Sequence, residues 1–360
     1  MNAKIKIVTV IGARPQFIKA ASLSREIKKH KAINEVIIHT GQHFDENMSD
    51  IFFQEMKIPK PNYKLNINSL SHGEMTGLMI KEIEKILINE KPNWLLVYGD
   101  TNSTLAGALA AKKLHIKLIH VEAGLRSFNM NMPEEINRIL TDRISDILFC
   151  PSQDAITNLK NEGFDNFGVE IFNVGDIMYD SAKLFSKSAK KSKIVTPKNY
   201  ILATIHRQEN TDISQNLINI FDSLDKINSK INIVMPIHPR TKNFLLKYNI
   251  KTKIKLIEPA GYIDMLDLIK GSKAVITDSG GLQKEAYFFK KQCFTFRDQT
   301  EWVELIKNGY NTLVDVTNKN IEQLILKKIS KKINFDKQIY GDGKTSKKII
   351  SKIQELHTSN

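Results

Sequence analysis

The sequence predicts an α/β protein made of two doubly wound parallel sheets. Three observations carry this reading. Short apolar runs each end in a polar, often glycine-containing loop that opens into a helical stretch, the rhythm of strand, loop and helix. The rhythm breaks over residues 186–199, where lysine, serine and a proline replace apolar periodicity, and it restarts at Tyr200. At 360 residues, the chain also exceeds what one hydrophobic core commonly supports. The expected organisation is an N-terminal domain over residues 1–185, a linker over 186–199 and a C-terminal domain over 200–344. Residues 345–360 form a final helix returning to the first domain.

Taken in order, residues 4–11 read as a strand that turns through Gly12-Ala-Arg14-Pro-Gln into a helix. Residues 35–39 form a strand ending in Thr40-Gly-Gln42-His43, and residues 91–97 one ending in Tyr98-Gly-Asp100-Thr. An alanine-rich helix over 105–113 leads to the strand 116–120. The charged stretch His120-Val-Glu122-Ala-Gly-Leu-Arg126 follows, and Pro133-Glu134-Glu135-Ile-Asn-Arg138 lies beyond it. Residues 146–150 close the first set. In the second set, 200–205 runs into His206-Arg207, 231–237 into His238-Pro-Arg and 255–257 into Glu258. Residues 274–276 lead into Thr277-Asp-Ser279-Gly280-Gly281-Leu-Gln-Lys-Glu285, and 292–296 into Arg297-Asp-Gln-Thr-Glu-Trp302. Every polar loop follows a strand, which places the loops on one edge of each sheet, facing a cleft where such folds bind ligands.

Composition narrows the class. No apolar run is long enough for a transmembrane helix, and the start lacks a signal-peptide core, so a cytoplasmic location is expected. Cys150 and Cys293 sit in apolar runs and read as core thiols rather than as a disulfide or zinc framework. Lysine and arginine number 53 against 39 aspartates and glutamates, giving +14. The lysines are scattered, with no basic stripe interleaved with aromatics, so a basic cleft for an anionic substrate is expected rather than a nucleic-acid surface.

Three groups of residues point to chemistry. The Thr277-Asp-Ser279-Gly280-Gly281 turn opens a helix whose backbone amides suit a phosphate, and Glu285 can accept from ribose hydroxyls; a plain capped turn is the competing reading. Arg14 adds a cation at a second helix start. His206, flanked by Arg207 and with His238 in a similar loop, suits a departing diphosphate, although a satisfied capping histidine is also open. Asp100, Glu122 and Glu134 come from separate loops as acid–base candidates, against the alternative of structural pairing with Arg126 and Arg138. No zinc-ligand spacing, Walker lysine loop or dinucleotide fingerprint is present, so no metal or redox cofactor is expected.

These motifs together resemble the non-hydrolysing UDP-N-acetylglucosamine 2-epimerases along nearly the whole chain: Gly12-Ala-Arg-Pro, Thr40-Gly-Gln-His, Tyr98-Gly-Asp-Thr, His120-Val-Glu-Ala-Gly-Leu-Arg, Pro133-Glu-Glu-Ile-Asn-Arg, Ile205-His-Arg-Gln-Glu-Asn and Thr277-Asp-Ser-Gly-Gly. The resemblance implies two Rossmann-like domains in the arrangement of GT-B glycosyltransferases. It implies inversion at C2 of a UDP-2-acetamido sugar by elimination and re-addition of UDP through a 2-acetamidoglucal, without cofactor. It implies a catalytic set of Asp100, Glu122, Glu134 and His206, and UDP binding by Arg14, Ser279, Gly280, Gly281 and Glu285 with His206. A substrate-activator site at Gln42, His43, Arg207 and His238 and a homodimer follow from the same likeness, as does a role in making surface-polysaccharide precursors. One departure stands out: Arg297-Asp-Gln-Thr-Glu-Trp302-Val-Glu, with Ser127-Phe-Asn-Met-Asn-Met, looks more like the branch acting on UDP-2,3-diacetamido-2,3-dideoxyglucuronate. UDP-N-acetylglucosamine is placed slightly ahead as substrate. The rival from another class is a GT-B glycosyltransferase.

Overall fold

Residues 5–11 are apolar on both faces of the chain trace, the pattern of a strand covered on both sides. They form the centre of a sheet. The computed structural model describes residues 4–42, 56, 58–188 and 194–358, in two compact units, residues 1–184 with 338–360 and residues 185–337.

The first unit holds seven parallel strands: β1 (Ile5–Ile11), β2 (Ile33–His39), β3 (Tyr63–Lys64), β4 (Trp94–Tyr98), β5 (Lys117–Val121), β6 (Ile147–Cys150) and β7 (Glu170–Asn173). Their order is β3-β2-β1-β4-β5-β6-β7, all pairs parallel. The order reverses between β1 and β4, which makes their C-terminal ends the switch point. The alanine-rich helix Asn102–Lys113 lies close on the sheet there. A β-carbon at Gly107 would stand 3.2 Å from both Val10 and Val97, so small residues set the helix–sheet distance.

The second unit repeats the plan with β8 (Tyr200–Thr204), β9 (Asn232–Pro236), β10 (Lys255–Ile257), β11 (Ala274–Thr277), β12 (Gln292–Thr295) and β13 (Asn311–Leu313). Its order is β10-β9-β8-β11-β12-β13, and its switch point lies between β8 and β11. Ile201, Ala203, Ile233, Met235, Ile276 and Phe294 from these strands pack on Leu217, Ile220, Phe221 and Leu224 of the helix Ser214–Asn228.

Ten strands stand where the sequence places them. Missing from that reading are β3, β7 and β13, short strands of two to four residues at sheet edges. The chain leaves the second unit at Lys337, ahead of the border expected at 344. The helix Thr345–Thr358 then packs on the helix Arg14–Ile27 and buries Ile349, Ile350 and Ile353, each contributing roughly 1.5–3 kcal/mol. Its N-terminus is capped by the Asp180 carboxylate, which accepts from the backbone of Thr345 (3.0 Å) and Ser346 (2.8 Å). Beside it, Gly175 has φ +90°, and a β-carbon there would stand 2.8 Å from the Tyr340 carbonyl oxygen.

Gly175→Ala should therefore destabilise the first unit by about 2 kcal/mol, read as a lowered melting temperature; an unchanged one would show that this crossing relaxes at no cost. Burial raises the Cys150 thiol well above its ordinary value and pushes Cys293 up to about 12. The native protein at pH 8 should thus resist a thiol-reactive dye at both cysteines, each reacting only after denaturation; rapid labelling of the native state would contradict their burial.

Candidate active site

The switch point of the first unit brings three loops together. After β1, the chain passes Gly12 and Ala13 into the helix Arg14–Ile27, with half-buried Arg14 as its first residue. Gln16 locks this turn. Its side-chain oxygen accepts from the backbone of Gly12 (2.7 Å) and Ala13 (3.0 Å), and its amide donates to the Tyr98 carbonyl and the Thr104 hydroxyl, both at 3.0 Å. The β1 loop is thereby tied to the β4 loop.

Further along the same helix, Lys19 is buried with its Nζ 2.5 Å from Glu122 Oε1. Glu122 follows β5 in the left-handed region, at φ +74°. The pair lies against Gly99, where a β-carbon would stand 2.9 Å from Lys19 Nζ and 3.3 Å from Glu122 Oε1. Gly99, itself at φ +61°, is the residue before Asp100. The sequence-predicted Asp100 and Glu122 are thus brought to one place.

Asp100 is held from the helix Pro133–Ile144. Arg138 Nη2 donates to Asp100 Oδ2 at 2.5 Å, and Asn137 Nδ2 to the Asp100 carbonyl at 2.9 Å. Arg138 also reaches Glu135 (2.7 Å), whose carboxylate accepts from the backbone of Ser127 and Phe128 and shapes the loop ahead of the helix. Glu135 is buried, whereas Glu134 is exposed on the same first turn. Among the described residues, no hydrogen bond or ion pair joins Glu134 to Asp100 or Glu122. Arg126 does not meet these groups; it pairs with Asp142 and Glu162.

Of the expected activator residues, Gln42 accepts through its side-chain oxygen from the backbone amide and hydroxyl of Ser103 (3.0 and 2.7 Å), and His43 lies outside the described residues.

In the second unit, Asp278 at the end of β11 is fully buried. Its carboxylate accepts from the backbone of His206 and Arg207, both at 2.9 Å, and from Asn210 Nδ2 at 3.1 Å. This holds the loop after β8 against the loop after β11. The His206 ring is partly exposed and lies 5.4 Å from the ring of His238, centroid to centroid. His238 Nδ1 accepts from the backbone of Arg240, capping the helix Pro239–Lys247. Arg207 reaches Glu209.

Ser279 is the N-cap of the helix Gly280–Phe288, which carries buried Glu285. A β-carbon at Gly280 would stand 2.5 Å from Glu301 Oε1, and Glu301 pairs with Arg297 at 3.1 Å. Gln283 links the turn to Thr300 and Asn311 (2.8 Å each). Trp302 is buried, with Lys284 Nζ 3.9 Å above its ring, so its influence on this edge runs through packing. Lys19, Gln16 and Asp278 escape the sequence reading. The one available signal was Lys19, a lone charge inside the otherwise apolar Phe17-Ile-Lys-Ala-Ala.

The arrangement offers two ion-paired carboxylates at one switch point, and a backbone-amide turn with two histidines at the other. Proton transfer at carbon and anion recognition are what such groups can do. The chain is similar to known proteins over nearly its whole length. A family model described as UDP-N-acetylglucosamine 2-epimerase matches residues 25–354. The UDP-2,3-diacetamido-2,3-dideoxy-D-glucuronate 2-epimerase of Pseudomonas aeruginosa is 52% identical over 354 residues, covering 98% of this chain and 100% of that one. The UDP-N-acetylglucosamine 2-epimerase of Methanocaldococcus jannaschii is 43% identical over 362 residues, covering 96% and 98%. The crystal structure of the M. jannaschii enzyme with UDP-GlcNAc and UDP superposes with a TM-score of 0.88 at 42% identity, covering 98% of this chain and 100% of that one. The Neisseria meningitidis enzyme bound to UDP-GlcNAc gives 0.86 at 30% identity, with the same coverages. With two such parallel sheets and these relatives along its whole length, the chain belongs to the UDP-N-acetylglucosamine 2-epimerase family of isomerases.

Proposed function

We propose that the protein inverts C2 of a UDP-2-acetamido sugar by eliminating UDP and adding it back. The carrying observation is the pairing of Asp100 with Arg138 and of Glu122 with Lys19 at one loop junction. Inversion requires the C2 proton to leave one face of the sugar and return on the other, a task that two carboxylates on different loops can share. Elimination removes that proton and breaks the C1–O bond, giving a 2-acetamidoglucal and UDP; re-addition reverses both on the opposite configuration. Asp100 is assigned as the group taking the proton, since its Oδ1 has no partner among the described residues while Arg138 fixes Oδ2. Glu122, held by Lys19, serves the other face. Glu134 joins this set as an exposed carboxylate. In the second unit, His206 and the amides of Ser279, Gly280 and Gly281 are assigned to the negative charge of departing UDP and Glu285 to the ribose; in the first unit, Arg14 is assigned to UDP by the family resemblance.

UDP-N-acetylglucosamine is the substrate named for the archaeal relative and bound in the neisserial structure. A second substrate reading, UDP-2,3-diacetamido-2,3-dideoxyglucuronate, is favoured by the 52% identity to the P. aeruginosa enzyme and by the Trp302 form of the last loop. The family resemblance supports a cytoplasmic homodimer that supplies precursors for surface polysaccharide, with Gln42, His43, Arg207 and His238 as an activator site. No helix among the described residues is long and apolar enough to cross a membrane.

Proton NMR in D2O with each sugar nucleotide tests the reading. Deuterium at C2 together with a manno-configured product is expected for one of them; no exchange with either would move glycosyl transfer to the front. Asp100→Asn and Glu122→Gln should each lower kcat by about 10²–10⁴-fold while leaving UDP affinity, measured by calorimetry, nearly unchanged. Loss of folding in both would instead mark them as members of structural ion pairs.

A further inference from the structure

We propose that His120 is a positioning residue for Asp100, a buried ring that bridges Asp142 and the Gly99 carbonyl and so fixes the backbone carrying the proposed base. The role rests on the epimerase reading above. His120 lies on β5 and is completely buried. Its Nδ1 stands 2.7 Å from Asp142 Oδ1, and its Nε2 2.7 Å from the Gly99 carbonyl oxygen. A carbonyl oxygen can only accept. The Asp142 carboxylate also accepts, because its other oxygen already receives the Gly124 amide (3.1 Å) and Arg126 Nη1 (2.6 Å).

Burial by itself raises the Asp142 carboxyl, but the hydrogen bonds and charges of His120 and Arg126 more than offset this and hold it below its ordinary value. The ring nitrogen facing the Gly99 carbonyl therefore donates, since a lone pair turned toward that oxygen in a buried site would be costly. Arg126, the other side chain held by Asp142, also pairs with Glu162, with contacts of 2.6 and 2.8 Å.

The ring acts on the site through Gly99. The Gly99 amide donates to the Val121 carbonyl at 3.0 Å, so both backbone groups of Gly99 are tied to β5. The Lys19–Glu122 pair rests on Gly99, and Asp100 is the next residue. A displaced Gly99 would move both carboxylates at once, and a shift of about 1 Å in such groups costs on the order of 10²-fold in rate.

Two substitutions of the full-length protein separate this role from mere charge balance. His120→Asn keeps a donor where Nδ1 meets Asp142 but removes the one facing Gly99; His120→Gln keeps a donor toward Gly99. His120→Asn should lose about 10²-fold in kcat with KM little changed, and His120→Gln should lose about tenfold or less. The reverse order, with wild-type C2 exchange normal, would overturn this role alone. Absence of exchange in the wild type would overturn the epimerase reading and this role with it. Should both variants fail to fold, NMR of histidine-15N-labelled wild type decides. One ring with a slowly exchanging Nε2–H proton, absent in His120→Asn if that variant can be refolded for the measurement, is expected, and a buried ring whose Nε2 carries no such proton would refute the assignment.

Discussion

Lys19 and Glu122 meet at 2.5 Å with both side chains almost fully buried, and the geometry of the first sheet edge follows from that contact. Removing two charges from water costs several kcal/mol per ion unless they are closely paired. The helix Arg14–Ile27 must therefore present Lys19 toward the sheet, and the chain must turn sharply after β5 to return Glu122 to it. That turn holds Glu122 in the left-handed region, a conformation costing of order 1–3 kcal/mol that persists only where the surroundings impose it. Gly99 must lack a side chain for the pair to fit.

A neutral constraint complements the charged one. Gln16 uses both amide hydrogens and its oxygen in four hydrogen bonds, joining the turn after β1 to the end of β4. A buried amide satisfied this fully specifies one arrangement, since each lost partner would leave a desolvated polar group. The turn that carries Arg14 and the turn that carries Asp100 are therefore one rigid piece. Preorganisation of this kind lets a charged group act without rearranging its surroundings during a reaction.

The apolar strands and their glycine turns were legible in the sequence because both signals are local. Strands buried on two faces read as continuous apolar runs, and a glycine after such a run marks the loop. The edge strands β3, β7 and β13 were not legible; they are short and partly exposed, so pairing with a neighbour rather than local pattern creates them. The two adjacent glutamates show a second limit. Helical spacing places Glu134 and Glu135 on different faces, but only the packing of the helix decides that Glu135 turns inward to Arg138. The same holds for Lys19, whose partner lies 103 residues away in sequence. The roles of Asp100, Glu122 and His206 came from the resemblance, since spacing alone left structural pairing open.

The two units share a topology yet use buried charge with opposite sign. In the first, buried cations, Lys19 and Arg138, hold carboxylates at the sheet edge. In the second, a buried carboxylate, Asp278, holds the backbone amides of His206 and Arg207 and so positions cationic and hydrogen-bond-donating groups at the edge. In each unit a buried ion fixes its partner in place, and of the two carboxylates in the first unit it is Asp100 that keeps exposed surface. Carboxylates held this way suit the removal and return of a proton at carbon. Donors held by a buried anion suit the stabilisation of a departing diphosphate.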